Sequence, residues 1–394
     1  MKQTDFNERL HGIDALRAIA MILGIFLHAT IAYKVDTLPT WPHDDVFTNK
    51  AFDFVYLLIH SFRMPLFFLI AGFFCRFLLL KIGEKEFIRH RWKRIVIPFG
   101  LSLIFILPFT IYPFLLYKNS DIYAGDWGGN FAASFKQLFQ WNGMAHLWFL
   151  YYLIIYYFII IVLRYISRLL RMDKLINSFY LFWRTINTGV QLLFIITVIV
   201  TAIILLNSQE LFLSVDTGVI PGLLYLTFFG LFFWVGWMIH VNPKIFEHLK
   251  RMSWYLLIAG LLLSGFTFYL EFIFLPLKNE SEYIILYKII ISFQVVLLVF
   301  GVIGVFLKYF KREIPFWRYI SDASYWMYLL HLGLVAGLQI FCIQFKIPGI
   351  LRFPFILFAT LAITLISYKF WVRYTLIGAY LHGPRMRKSN VAKR

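Results

Sequence analysis

Apolar residues fall in ten long blocks along the chain, separated by short stretches in which charge, proline and glycine collect. The blocks lie near 13–33, 52–80, 95–117, 146–170, 188–206, 218–240, 254–275, 284–307, 323–345 and 353–375. Each reaches the roughly 17–25 residues that carry an α-helix across the hydrocarbon of a bilayer. The block 52–80 is long enough to tilt, or to kink at Pro65. No stretch reads as a soluble domain: the longest connection, 118–145, is expected to be a loop. No internal repeat suggests the paired halves common in transporters. The pattern predicts an all-α, polytopic membrane protein, with residues 1–394 forming a single domain of about ten transmembrane helices.

Composition strengthens this reading. The chain is 61% hydrophobic and 20% aromatic, and only 15% charged, with a mean hydropathy of +0.74; a soluble domain carries about 25% charged residues. The formal charge of +18 could suggest a nucleic-acid partner. The basic residues instead sit in short clusters between apolar blocks, where they serve orientation. With the N-terminus inside, the connections on that side hold 23 Lys and Arg against 7 on the other. That bias places both termini in the cytoplasm. The polar N-terminus leads to no cleavage site and predicts no removed signal. Cys75 and Cys342 lie within apolar blocks, so neither a disulfide framework nor a metal site is expected.

Candidate chemistry lies in polar groups that intrude on the apolar blocks, where charge is costly and marks function by default. In "GIDALRAIAMILGIFLHATIAY", Asp14 and Arg17 are three residues apart and can pair on one helix face. His28 follows Arg17 by eleven residues, three turns plus roughly 20°, so it projects to the same side about 16 Å further along. One face thus presents polar groups at two depths. A purely structural ion pair and a satisfied core histidine are the competing explanation. The second block, "HSFRMPLFFLIAGFF", sets Arg63 near mid-membrane, with His60 a turn earlier and Pro65 two residues later. Proline gives no backbone N–H and can free carbonyls toward a cavity; a buried ion pair that fixes packing is the alternative for Arg63.

Four further places carry polar groups. "RHRWKR" brings Arg91 and Arg94 to the cytoplasmic start of the third block, suited to setting orientation or to binding phosphates. "AHLWFL" places His146 beside Trp148 at the outer end of the fourth, where an anchoring role is the simple alternative. Ser324, Tyr328 and His331 follow i, i+4, i+7 spacing and share a face of the ninth block. Glu271, near the outer end of the seventh, could orient a histidine or reach water. The chain lacks a phosphate-binding P-loop, a GxSxG elbow and an HExxH motif.

These residues resemble the acyltransferase 3 family of integral membrane acyltransferases, bacterial enzymes that acylate sugars and lipids. Arg17, ten intervening residues and His28 match the family's first-helix pattern; "FRMPLFFLIAGFF" matches its second-helix signature and "RWKR" its paired arginines. "HLWFL" and "ASYWMYLLH" match as well, and the layout is most similar to the branch that decorates periplasmic glucans with succinyl groups. The chain departs from relatives that carry a carboxylate in the fourth-helix motif and a fused extracytoplasmic domain. The resemblance implies an enzyme of the bacterial inner membrane without a bound cofactor. Its donor is an acyl-CoA, succinyl-CoA or acetyl-CoA, reached from the cytoplasm, and its acceptor a hydroxyl of an extracytoplasmic glycan.

On that basis His28 is expected to act as general base, Arg63 to stabilise the oxyanion or the donor, and Asp14 to hold Arg17. Arg91 and Arg94 are expected to bind the donor, and His146, Ser324, Tyr328, His331 and Glu271 to line the substrate site. A covalent acyl-histidine step and a transporter or flippase with a His/Arg-lined path remain the alternatives. The acyl group, the acceptor and the oligomeric state stay open at this point.

Overall fold

The computed structural model describes residues 3–39, 41–272, 281–344 and 347–385. The expected span ends at 273–275 and 345, residues 276–280 of an expected outer connection and the basic tail 386–394 lie outside the described residues. Among the described residues there is no strand. The helices are α1 (Gln3–Thr30), α2 (Lys50–Ile82), α3 (Glu84–Arg91), α4 (Ile97–Lys118), α5 (Trp127–Leu138), α6 (Trp148–Leu169), α7 (Asp173–Thr185), α8 (Gly189–Leu206), α9 (Leu223–Val241), α10 (Lys244–Phe272), α11 (Ser281–Tyr309), α12 (Pro315–Gln344), α13 (Gly349–Ser367) and α14 (Leu376–Leu381). Ten helical segments among the described residues are long and apolar enough to cross a membrane, one for each predicted block.

The differences from the sequence reading lie at the ends of blocks and in the connections. The third block continues backward into α3 through a π-helical turn at Trp92–Val96, so its basic residues sit on helix rather than in a loop. The sixth span starts at Leu223, not 218. The Asp216 carboxylate accepts from the backbone N–H groups of Gly218 (2.9 Å) and Gly222 (2.6 Å), and this turn holds the chain out of helix up to Pro221. The seventh span begins ten residues earlier than its apolar block, at Lys244: this start is amphipathic, burying Ile245, Phe246 and Leu249 while Lys244 and Glu247 stay exposed, so it does not read as an apolar block. Helix α5 occupies the connection expected to be a loop, and α7 the connection between the fourth and fifth blocks; both are short and amphipathic, a pattern that a search for long apolar blocks does not detect. Pro65 is buried inside an unbroken α2.

Two close crossings fix the bundle. Helices α2 and α9 approach until a Cβ on Gly72 would strike the Phe233 carbonyl oxygen and one on Gly236 the Leu69 carbonyl oxygen. Small residues at such points let backbones pack in van der Waals contact, which drives association where lipid offers no hydrophobic gain. Helices α10 and α11 form the other crossing, and the polar atoms there are satisfied within the protein. Thr267 donates to Gln294 Oε1 (2.7 Å), and Gln294 donates to Ser61 of α2 (3.3 Å). Cys75 and Cys342 are both buried and unbonded to each other.

The starts of α1 and α12 and the segment after α14 meet at one end of the bundle. Asp14 pairs with Arg318 (2.9 Å) and, more loosely, with Arg17 (3.5 Å); Asp322 pairs with Arg385 (2.6 Å). The opposite end carries the connection between α1 and α2.

Candidate active site

A cavity of about 620 Å³ runs through the bundle, lined by α1, α2, α6, α12 and the turn between α3 and α4. Arg17, His90 and Arg91 stand at one end, and Leu38, Trp41 and Thr217 at the other. Between them are His28, His60, Arg63, His146, Ser324, Tyr328 and His331. The structure therefore brings together eight of the eleven residues singled out in the sequence. Asp14, Arg94 and Glu271 are not on the cavity wall. Asp14 turns toward Arg318, and the Arg94 guanidinium lies beside Gly383, whose backbone, at φ +106°, curls over it. Glu271 accepts the Tyr287 hydroxyl at 2.5 Å, between α10 and α11.

Three histidines from three helices meet in the half nearer Trp41. The His28 and His331 ring centroids are 5.2 Å apart, and those of His331 and His146 5.6 Å. Two of these rings are held by backbone carbonyls. His331 Nδ1 lies 2.7 Å from the Tyr328 carbonyl oxygen and His146 Nε2 3.1 Å from that of Leu329. A carbonyl can only accept, so each of these nitrogens carries the proton. In the neutral ring the lone pair then sits on His331 Nε2 and on His146 Nδ1, both buried without a hydrogen-bond partner among the described residues. The Tyr328 hydroxyl donates to the His146 backbone oxygen (2.5 Å), which ties α12 to the start of α6.

His28 is held differently. Its ring stacks on Trp41, centroids 5.6 Å apart and planes 13° from parallel. Gln339 of α12 secures both partners: its amide oxygen accepts the Trp41 indole N–H (2.9 Å), while its amide nitrogen donates to the carbonyls of His28 (3.2 Å) and Ala29 (3.3 Å). No hydrogen-bond partner among the described residues reaches His28 Nδ1. The connection that carries Trp41 is strapped down. Asp53 accepts the N–H groups of Val35 (2.9 Å) and Asp36 (3.1 Å), and Asp44 pairs with Arg352 of α13. Lys34, at the start of the strap, lies over the Tyr56 ring (4.2 Å). Burial pushes its pKa below the ordinary lysine value, against the opposing pull of Asp36 and Asp53.

Arg63 enters the cavity from mid-α2. Its guanidinium occupies the space a Cβ would take at Gly24 of α1, one turn before His28, so the arginine is seated by the absence of a side chain opposite. Its Nε has no hydrogen-bond partner among the described residues, and none of the described residues lining the cavity is an aspartate or glutamate. A buried cation without a carboxylate partner is costly, and that cost falls when a ligand supplies negative charge. Arg17 is better supported, donating to the Ser321 carbonyl (3.1 Å). Arg91 lies over the rings of Tyr157 (4.7 Å) and Phe87 (5.1 Å), and its Nε has no hydrogen-bond partner among the described residues. Between the two ends the wall is mainly apolar, with Phe67, Ile70, Phe74, Leu78, Leu150 and Leu153 along one side.

A family model described as an acyltransferase domain, acyltransferase 3, matches residues 10–369. The chain belongs to this family. Curated relatives include the Glucans biosynthesis protein C of Escherichia coli strain SMS-3-5, 29% identical over 149 residues, and that of strain K12, 28% identical over 149 residues. In both comparisons the match covers 38% of this chain and 37% of the relative's length. No solved structure matches. Within this acyltransferase 3 chain, the sequence reading missed Gly24, Trp41 and Gln339. Glycine in an apolar helix and tryptophan in a loop are ordinary features of membrane proteins. A glutamine in a span was the one signal available, since its amide must find partners there. Among the described residues no cluster of three or more His, Cys, Asp or Glu is arranged to hold a metal ion.

Proposed function

We propose that this protein is a membrane O-acyltransferase of the bacterial inner membrane. It moves a succinyl or acetyl group from a cytoplasmic acyl-CoA to a hydroxyl of an extracytoplasmic glycan. One observation carries the reading: a cavity joins an arginine-bearing end to a histidine-bearing end, and Arg63 between them meets no carboxylate among the described lining residues. The excess of Lys and Arg in the connections on the Arg17 side supports placing that end, and both termini, in the cytoplasm. Arg17 and Arg91 then suit the phosphates of coenzyme A, and the apolar wall its pantetheine arm.

The acceptor hydroxyl enters beside Trp41 and attacks the thioester carbonyl. Neutral His28 takes the hydroxyl proton as the C–O bond forms. The carbonyl oxygen becomes an oxyanion, and Arg63 supplies positive charge where that negative charge develops. Collapse of the tetrahedral species breaks the C–S bond, and the coenzyme A thiolate leaves toward the cytoplasm, taking up the proton that His28 holds. Arg63 also suits the free carboxylate of a succinyl group, which favours succinyl over acetyl.

Purified protein in phospholipid vesicles, given radiolabelled succinyl-CoA or acetyl-CoA, tests this. Free thiol and labelled glycan are expected together, and only when glucan oligosaccharide is supplied. Glycan movement across the vesicle membrane without acyl-CoA would replace this reading with a flippase.

A further inference from the structure

Helix α5 lies in the connection between α4 and α6, at the Trp41 end of the bundle, and its two faces are unlike. One face is hydrogen-bonded to the end of α4. Asn119 donates to Ser134 Oγ (3.0 Å), Ser134 to Asn130 Oδ1 (3.0 Å), Asn130 to the Leu116 carbonyl (3.2 Å), and Gln137 to Asn119 Oδ1 (3.3 Å). Asp126 caps the helix start by accepting from the Gly129 N–H (2.9 Å). Along the neighbouring face Trp127, Phe131 and Phe135 recur every four residues, and Phe139 follows just past the helix end. These four rings are 60%, 47%, 57% and 78% exposed, so the protein leaves them uncovered although it satisfies the polar atoms beside them.

The ridge does not stand alone. Leu101, Ile104, Phe105 and Phe109 form an exposed apolar strip along α4, a membrane-spanning helix, where the strip faces lipid. Tyr112 joins the two surfaces: its hydroxyl donates to the Phe131 carbonyl (3.3 Å) and its ring lies 6.3 Å from that of Phe131. The lipid-facing surface of α4 thus continues directly into the ridge. Lys136, the one charged side chain of α5, follows Phe135 by one residue and so points about 100° away from the ridge. Phenylalanine has no polar rim to bond sugar hydroxyls, which argues against a glycan platform.

We infer that α5 is an interfacial helix, seated with its Trp127–Phe131–Phe135–Phe139 ridge among the lipids at the Trp41 end of the bundle. An amphipathic helix in this position buries its apolar face at the boundary between headgroups and acyl chains. The seat has a consequence for the cavity. The chain leaves α5 through Trp141, which donates to the Gly143 carbonyl (3.0 Å). Met144 N–H then bonds the Thr217 carbonyl (2.8 Å), immediately before His146 turns into the cavity. The lipid-held helix therefore anchors the segment that delivers His146.

The inference depends only on the chain crossing a membrane, and its test does not require transfer activity. Single cysteines are placed at positions 131, 132, 135 and 136 of the full chain and spin-labelled in phospholipid vesicles; the buried Cys75 and Cys342 are inaccessible to the label. Labels at Phe131→Cys and Phe135→Cys are expected to relax several-fold more with oxygen than with a water-soluble nickel chelate, and those at Ala132→Cys and Lys136→Cys the reverse. Chelate dominance at all four positions would overturn the inference. So would shielding of the two ridge labels on adding glucan oligosaccharide, which would assign the ridge to sugar. As a check without substitutions, a phospholipid carrying a diazirine on its acyl chain should form adducts with the native chain between residues 127 and 139; adducts confined to the spans would overturn it.

Discussion

The two ends of the cavity hold charge in opposite ways. At the Arg17 end Arg17 and the rim arginines beside it are compensated by carboxylates, while Arg91 lies over aromatic rings. Asp14 lies between Arg17 and Arg318, and Asp322 between Arg318 (3.6 Å) and Arg385, a chain of ion pairs at the rim of the bundle. Toward the Trp41 end the polar groups are three imidazoles, two of them pinned by backbone carbonyls, and Arg63, between the ends, meets no carboxylate among the described residues of the cavity wall. The contrast separates charges paired within the fold from one that the fold leaves without a carboxylate among the described residues. Exposed or half-exposed pairs exchange one partner for water at little cost, typically about 0–1 kcal/mol. A buried cation has no such exchange available; under the proposed reaction, substrate or a developing oxyanion supplies the negative charge beside Arg63.

Substitutions can break or sharpen that contrast. The largest effect is expected at the histidine end: His28→Ala should lower glycan acylation about 10²–10⁴-fold, the usual contribution of a general base, without changing membrane insertion. Transfer assays on vesicle-reconstituted protein measure this, and near-normal turnover would remove His28 from the proton transfer. Next, Arg63→Gln should cost roughly 10²–10³-fold in kcat, the effect of losing one oxyanion stabiliser. Gly24→Ala should mimic part of that loss, because its methyl group takes the guanidinium's place; an unchanged kcat for Gly24→Ala would show that the position of Arg63 does not matter. At the other end, Arg91→Ala should raise the donor KM by about tenfold, a charge-assisted contact's worth of binding, and leave the acceptor KM unaltered. Equal changes in both would erase the proposed division between donor and acceptor ends. The smallest effect is expected for Asp14→Asn, about 0–1 kcal/mol in thermal or denaturant unfolding, with transfer near wild type. A loss comparable to that of Arg63→Gln would mean that the rim ion pairs are part of the active site.

Much of this contrast was legible before the fold. Ten apolar blocks, the Arg17–His28 interval and the Ser324, Tyr328 and His331 face all depend on helical periodicity, which is local and can be counted along the chain. Helices α5 and α7 were not legible, because each is shorter than a span and its apolar residues are interleaved with polar ones. Glu271 and Arg94 show the limit of reading depth from position. Both lie at plausible heights in the bundle, yet the rotation of their helices, set by neighbours, directs Glu271 to Tyr287 and Arg94 to Gly383.

The sequence by itself determined that the chain crosses a membrane ten times, and which polar groups must be accounted for within it. Hydrocarbon imposes a length on each helix and a penalty on each charge, and both are properties of a segment alone. Only the tertiary structure decided that His28, His146 and His331 meet, that Gly24 makes room for Arg63, and that Gln339 holds Trp41 against His28. Those relations join α1, α2, α6 and α12 across hundreds of residues. They follow from how helices rotate and cross as they pack, and no spacing within one helix encodes that.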